Sequence, residues 1–339
     1  MTVRRAQQAR PTLEEVAARA GVGRGTVSRV INGSPRVSAQ AREAVLQAID
    51  ELGYVPNRAA RTLVTRRTDT VALVVAESEQ RLFDEPYFAG IIRGISSELN
   101  ATGLQLLLAL AQSPDEYARL EHYLTGQHVD GVLLTSLHGD DPLPAKLEAS
   151  GVPTVLGGCP PGLSPVSYVD VDNRKGARLA TEYLLEKGRR RIAAIAGPQD
   201  MGVGVDRLAG YRDALAAAGM PELVAYGDFS ESSGVTAAAE LLDQAPDMDA
   251  VFAADDPMAL GAMQVLQKAG LRIPDDVAVI GFEDSARAPL ADPPLTTVHQ
   301  SVENMGREMA RLLIARIRGE RVTDPVVILE THLVLRASA

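Results

Sequence analysis

Residues 12–33, Thr-Leu-Glu-Glu-Val-Ala-Ala-Arg-Ala-Gly-Val-Gly-Arg-Gly-Thr-Val-Ser-Arg-Val-Ile-Asn-Gly, spell two short helices joined by a tight glycine turn. Thr12 and Glu15 stand at the Ser/Thr-x-x-Glu spacing of a capping box, in which each side chain satisfies a backbone N–H of the other's turn. Leu13, Val16, Ala17 and Ala20 recur along one face, and Gly21 ends the helix where a left-handed backbone is cheap. A second helix beginning near Arg24 buries Val27, Val30 and Ile31. Its outer face carries Arg24, Thr26, Ser28, Arg29 and Asn32, with Gly25 among them. This is the pattern of a helix-turn-helix, whose second helix presents hydrogen-bonding side chains to base edges in the major groove.

A glycine turn between helices suits many folds, and the charge decides between them. Residues 1–67 hold 12 Arg, no Lys and 5 acidic residues, a net +7, while the rest of the chain carries −17 within an overall −10. A basic end seeks phosphate and an acidic body does not. A third helix follows, with Ser38 as its N-cap, Ala41, Val45, Ala48, Ile49 and Leu52 as its apolar stripe and Gly53 just past its end. Beyond it, Asn57 is placed to cap a short helix running to about Val64, with too little apolar face to be stable alone.

From about Thr70 the texture alternates. Apolar runs at Val71–Val75, Leu104–Leu110, Val132–Leu134 and Thr154–Leu156 are separated by helical stretches at about 87–101, 114–125 and 142–150. After Asp170-Val-Asp-Asn the pattern restarts, with strands near Ile192–Ala196, Leu223–Tyr226, Ala250–Ala253 and Val277–Gly281 and helices near 173–187, 206–218, 232–244 and 256–269. Two α/β lobes with parallel sheets follow, and their strand ends should face a shared ligand cleft.

Nothing in the sequence points to catalysis. There is no Gly-x-x-x-x-Gly-Lys-Ser/Thr loop, no Gly-x-Ser-x-Gly elbow and no Gly-x-Gly-x-x-Gly after a strand. The acids at strand ends, Asp170, Asp172, Asp255, Asp256, Glu283 and Asp284, are of a type that serves acid–base chemistry or metal binding, or else caps helices and accepts hydrogen bonds from a polyhydroxy ligand, and the lack of any catalytic motif favours the latter. One cysteine, Cys159, excludes a disulfide framework and a thiolate zinc site, and the five histidines lack ligand spacing, so no metal or cofactor is expected. No apolar run approaches a bilayer span and no secretory signal is visible, which implies a cytoplasmic location away from membranes.

Val-Ser-Arg-Val-Ile-Asn-Gly at 27–33, Val-Ser at 37–38, Leu-Gly-Tyr-Val-Pro-Asn-Arg-Ala-Ala-Arg-Thr-Leu at 52–63, Asp-Pro-Met-Ala-Leu-Gly-Ala-Met at 256–263 and Asp-Pro-Pro-Leu-Thr-Thr-Val-His-Gln at 292–300 resemble the lactose-repressor family of bacterial regulators. The resemblance implies an N-terminal three-helix domain over 1–56, a hinge helix and linker over 57–69, and a two-lobed, periplasmic-binding-protein-like effector and dimerisation domain over 70–339. Three chain crossovers would put about 70–168 and 302–325 in the first lobe and about 169–301 and 326–339 in the second. It implies a homodimer on double-stranded operator DNA, with Leu63 as a minor-groove wedge, Ala60 beside it, and Asn57 and Arg58 toward phosphate. Thr12, Leu13, Arg36, Ser38 and Tyr54 complete the expected DNA-facing set.

For the effector, the resemblance implies Arg207 as the gripping arginine, Phe229 as a stacking aromatic, and Asp255, Glu283 and Gln300 as polar contacts. Asp84, Tyr87, Phe88 and Thr135 are expected from the first lobe. Further similarity at 21–29, 61–75 and 126–134 to cellobiose-responsive repressors of actinobacteria implies a small sugar, cellobiose or a related β-glucoside, that releases operator. A purine or phosphosugar corepressor is the alternative, and a transporter's solute-binding protein a remoter one.

Overall fold

The computed structural model describes residues 11–31, 33–55, 67–111, 113–159 and 167–339, in two compact units, 1–68 and 69–339. In the first, α1 (Leu13–Ala20), α2 (Arg24–Ile31) and α3 (Ala39–Leu52) enclose Val16, Val27, Val30, Val45 and Ala48. The capping box is formed, with Thr12 N donating to Glu15 Oε2 at 2.7 Å and Glu15 N donating to Thr12 Oγ1 at 3.3 Å. Gly21 closes α1 at φ 65°, and Ser38 caps α3 by accepting from Ala41 N.

The second unit holds two six-stranded sheets. In the first lobe β1 (Thr70–Val75) is flanked by β2 (Gln105–Leu110) and β3 (Gly131–Thr135), followed outward by β4 (Thr154–Gly157), β5 (Ser167–Val171) and β11 (Val326–Leu329), all parallel. Period-two alternation splits the core. Val71, Leu73 and Val75 face α5 (Pro86–Leu99) and α12 (Val302–Ile317), while Ala72 and Val74 face α7 (Leu143–Ala149) and α6 (Pro114–Thr125). Ile91 and Ile95 are fully buried, worth ~1.5–3 kcal/mol each. A short helix, α4 (Glu79–Asp84), lies between β1 and α5.

The second lobe repeats the plan. β6 (Ile192–Ala196) sits between β7 (Val224–Tyr226) and β8 (Ala250–Ala253), then come β9 (Ala278–Glu283), β10 (Thr296–His299) and an antiparallel edge strand, β12 (His332–Val334). Helices α8 (Asn173–Glu186) and α9 (Gly202–Ala218) cover one face, and α10 (Glu231–Gln244) and α11 (Asp256–Lys268) the other.

Two lobe boundaries differ from the expectation. Residues 169–171 belong to β5 and 326–329 to β11, and the two strands pair from Val326 against Tyr168 to Leu329 against Val171, so both extend the first sheet. The first lobe therefore runs to 171 and from 302 to 329. In Ser-Tyr-Val-Asp-Val only alternate residues are buried and β11 is a half-exposed edge, so neither reads as an apolar run. Met305, Met309 and Leu313 of α12 pack into the first lobe's core.

Candidate effector cleft and DNA-binding face

Each sheet reverses its strand order beside its first strand, and the carboxyl ends there open onto one cleft between the lobes. The backbone is strained at this rim. Ser136 after β3, Phe229 after β7 and Glu283 ending β9 have φ of 59°, 69° and 119°, and Gly158 after β4 has 84°; all four line the cleft. Side-chain-bearing residues in that region cost of order 1–3 kcal/mol each and persist where the surroundings over-determine them.

Arg207, on the second turn of α9, is buried, and its guanidinium forms a hub. Nε donates to Asn173 Oδ1 at 2.9 Å, Nη1 to the Ala254 carbonyl at 2.6 Å and Nη2 to Gln300 Oε1 at 3.0 Å. Its lower face lies on the Phe282 ring, 3.7 Å from the centroid. Arginine carries five donors in a fixed fork, so two remain beyond these three bonds for a bidentate acceptor.

Carboxylates surround it. Burial pushes Glu283 up to about 8, with the Asp256 charge adding and Arg207 opposing, and raises Asp255 well above the usual range. Burial likewise lifts Glu85 to about 7 against Arg81, and Asp170 to about 6 against hydrogen bonds from Val171 N and Asn173 and the charge of Arg207. Burial draws Arg207 itself down to about 10, with Glu283, Asp255 and Asp170 pulling back, so it stays a cation at neutral pH. The cleft thus offers both protonated and ionised carboxyls, matching hydroxyls that donate and accept.

Apolar surface completes it. Phe88, Met201, Phe229 and Met305 line the same cleft, and the Phe229 ring packs where a Cβ on Gly197 would intrude. Tyr87 stands edge-on to Phe88, with its hydroxyl 3.5 Å from Thr135 Oγ1.

Of the expected effector residues, Tyr87, Phe88, Arg207, Phe229, Asp255, Glu283 and Gln300 line one cleft. Thr135 is fully buried behind Tyr87. Asp84 is not at the site: it ends α4 with its side chain exposed, while Arg81 and Glu85 line the cleft instead. Arg81, Glu85, Ser136, Asn173, Met201 and Met305 were not singled out from the sequence. The one signal available was the i,i+4 Arg81–Glu85 spacing, joined here by a 2.6 Å ion pair.

In the first unit Arg24 is exposed and bridges to Glu14 at 3.0 Å, Arg29 and Arg36 are exposed, and Thr26 and Ser28 are half-buried on α2. A Cβ on Gly25 would meet nothing within 4 Å, so the surface beside Arg24 is open. Leu13 is half-buried against the core, and Tyr54 is buried within it, so its ring serves packing. Asn32, Asn57, Arg58, Ala60 and Leu63 lie outside the described residues. Among the described residues no helix is long and apolar enough to cross a membrane.

Residues 12–57 match the bacterial regulatory proteins of the lacI family, and residues 181–339 match the periplasmic binding protein-like domain. The chain is 63% identical over 335 residues to the HTH-type transcriptional regulator CelR of Thermobifida fusca, covering 97% of this chain and 98% of that protein. It is 37% identical to the HTH-type transcriptional repressor PurR of Erwinia tasmaniensis, covering 96% of each. Among solved structures, a transcriptional regulator CelR–cellobiose complex aligns with TM-score 0.78 at 60% identity, covering 97% of this chain and 100% of that one. The Lac repressor dimer bound to operator and the anti-inducer ONPF aligns with TM-score 0.86 at 28% identity, covering 97% and 99%. With its helix-turn-helix matched at one end, its effector lobes at the other and near-full-length similarity to such regulators, this chain belongs to the lacI family of bacterial regulatory proteins.

Proposed function

We propose that this protein is a cytoplasmic, dimeric transcriptional repressor of sugar-utilisation genes, released from a pseudo-palindromic operator by cellobiose or a related β-glucoside. The observation that carries the reading is the Arg207 hub. A stacked arginine with donors to spare, ringed by carboxyls of both protonation states and flanked by Phe88 and Phe229, suits a ring of hydroxyls with apolar C–H faces. The 60% identity to a protein solved with cellobiose supports that sugar.

The exposed Arg24 and Arg29 on α2 supply fork-shaped donors suited to guanine O6 and N7. Two subunits, each with one such helix, read inverted half-sites, and Leu63 at the expected hinge would wedge a central pyrimidine–purine step. Sugar that binds one arrangement of the lobes better weakens operator binding by that difference, and operator weakens sugar binding by the same factor. Fluorescence anisotropy of operator DNA during titration with a panel of sugars tests the reading. Release by cellobiose and not by glucose, maltose or guanine is expected. Tighter operator binding on addition of guanine would replace it with a purine-responsive regulator.

A further inference from the structure

The lobes touch at a second place, outside the ligand-facing surface. His138, in the loop after β3, meets Asp200, in the loop after β6: Nδ1 lies 2.9 Å from Asp200 Oδ2, and the neighbouring Gly139 N donates to the Asp200 carbonyl at 2.9 Å. The other ring nitrogen, Nε2, lies 3.2 Å from Glu77 Oε1 in the first lobe. An imidazole with carboxylates on both nitrogens satisfies both only by donating twice, which requires the imidazolium.

Glu77 is itself a junction. Its Oε1 also accepts from Ser136 Oγ at 2.6 Å and pairs with Arg81 Nη1 at 2.9 Å. Arg81 continues to Glu85 at 2.6 Å, and its guanidinium carbon stands 5.6 Å from the centroid of Phe229 in the second lobe. Asp200, His138, Glu77 and Arg81 therefore form a charged chain from the far contact to the aromatic wall of the cleft. The groups facing His138 are Glu77 and, through it, Arg81 from the segment after β1, Ser136 from its own loop, and Asp200 from the other lobe.

We propose that His138 is a positioning residue for the sugar site, an imidazolium clasp that holds the second lobe through Asp200 and sets Arg81 against Phe229 through Glu77. The inference rests on the sugar-binding reading for its consequence, but the clasp itself is a property of the ligand-free protein. The hydrogen bond to Glu77 raises the His138 pKa, burial works against it, and Asp200 adds to the rise. Lobe separation removes Asp200, so closure favours the proton. Sugar affinity that depends on closure is then greatest below the open-form pKa and falls as pH rises through the closed-form value.

Two measurements on the full-length protein test this. Ring-nitrogen NMR of the five histidines, with His138 identified by the peak lost in His138→Gln, should show a doubly protonated His138 at pH 7, and Asp200→Asn should lower its titration midpoint. Titration of His138 should add about a fivefold fall in cellobiose affinity between pH 6 and 8.5, the order of one partly exposed ion pair, to the slope that the cleft carboxyls Glu85 and Glu283 give, and the variants His138→Gln and Asp200→Asn should lose that added part. A His138 midpoint unmoved by Asp200→Asn, or a pH slope as steep in both variants as in the parent, overturns the clasp. If cellobiose fails to bind at any pH, the sugar assignment falls while the NMR result alone decides the clasp.

Discussion

Arg207 and Phe282 are stacked, the guanidinium carbon 3.7 Å from the ring centroid, and that stacking fixes where the remaining donors of the arginine can point. Phe282 is fully buried on β9, one residue before the strained Glu283. A rigid floor beneath a planar cation turns a flexible side chain into an oriented fork, at the loss of little further entropy when a ligand arrives.

Truncating that fork separates binding from recognition of DNA. Arg207→Ala should bind operator with unchanged affinity yet fail to release it at sugar concentrations that fully induce the parent. Asn173, Gln300 and the Ala254 carbonyl lose their partner, so the effector unit should also lose about 3 kcal/mol of stability, read by denaturant unfolding. Arg207→Lys should restore part of the stability and little of the induction, because an ammonium cannot span the same acceptors. Induction at parental sugar levels by Arg207→Ala would remove the residue from the site.

The cleft carboxyls make stability depend on pH in a stated direction. Glu283 is raised from 4.5 to about 8, so its contribution is fully present below pH 4.5 and is lost as pH rises through 8. Melting of the effector unit should therefore decline between pH 6 and 9, and Glu283→Gln, which keeps the shape without the charge, should flatten that decline. An unchanged decline in the variant, with stability lower at every pH in that range, would show instead that Glu283 is ionised and paired in the fold.

Phe229 tests the apolar half of the site. Phe229→Ala should weaken sugar binding by about 1–2 kcal/mol in calorimetric titration, the scale of a lost aromatic contact. Operator affinity without sugar should stay within error. A loss of operator binding of equal size would make Phe229 a core residue only.

On the DNA-facing unit two substitutions should act through different physics. Thr12→Ala removes the cap seen at Glu15 N and should cost about 1 kcal/mol of local stability, visible as faster amide exchange in α1. Arg24→Ala leaves the fold intact, since its partner Glu14 is also exposed, and should relax base preference at one operator position by about 1–3 kcal/mol in a selection from randomised half-sites.

The helix-turn-helix, the alternating lobes and most of the cleft were legible in the sequence because their signals are local. Thr12 and Glu15, Ser38 and Ala41, and the period-two and 3.6-residue apolar patterns act within a few residues, where chain geometry alone sets which groups meet. Arg207, Phe229 and Glu283 were reached through motif resemblance, and the fold brought them to one cleft. Tertiary structure alone decided which side of α4 faces inward, taking Arg81 and Glu85 and leaving Asp84 in solvent. It also set the pairing of β5 with β11, and the meeting of His138 with Asp200, 62 residues along the chain. Such contacts depend on how helices roll and strands register against a distant partner, and that free energy is shared over a whole core rather than carried by neighbours in sequence.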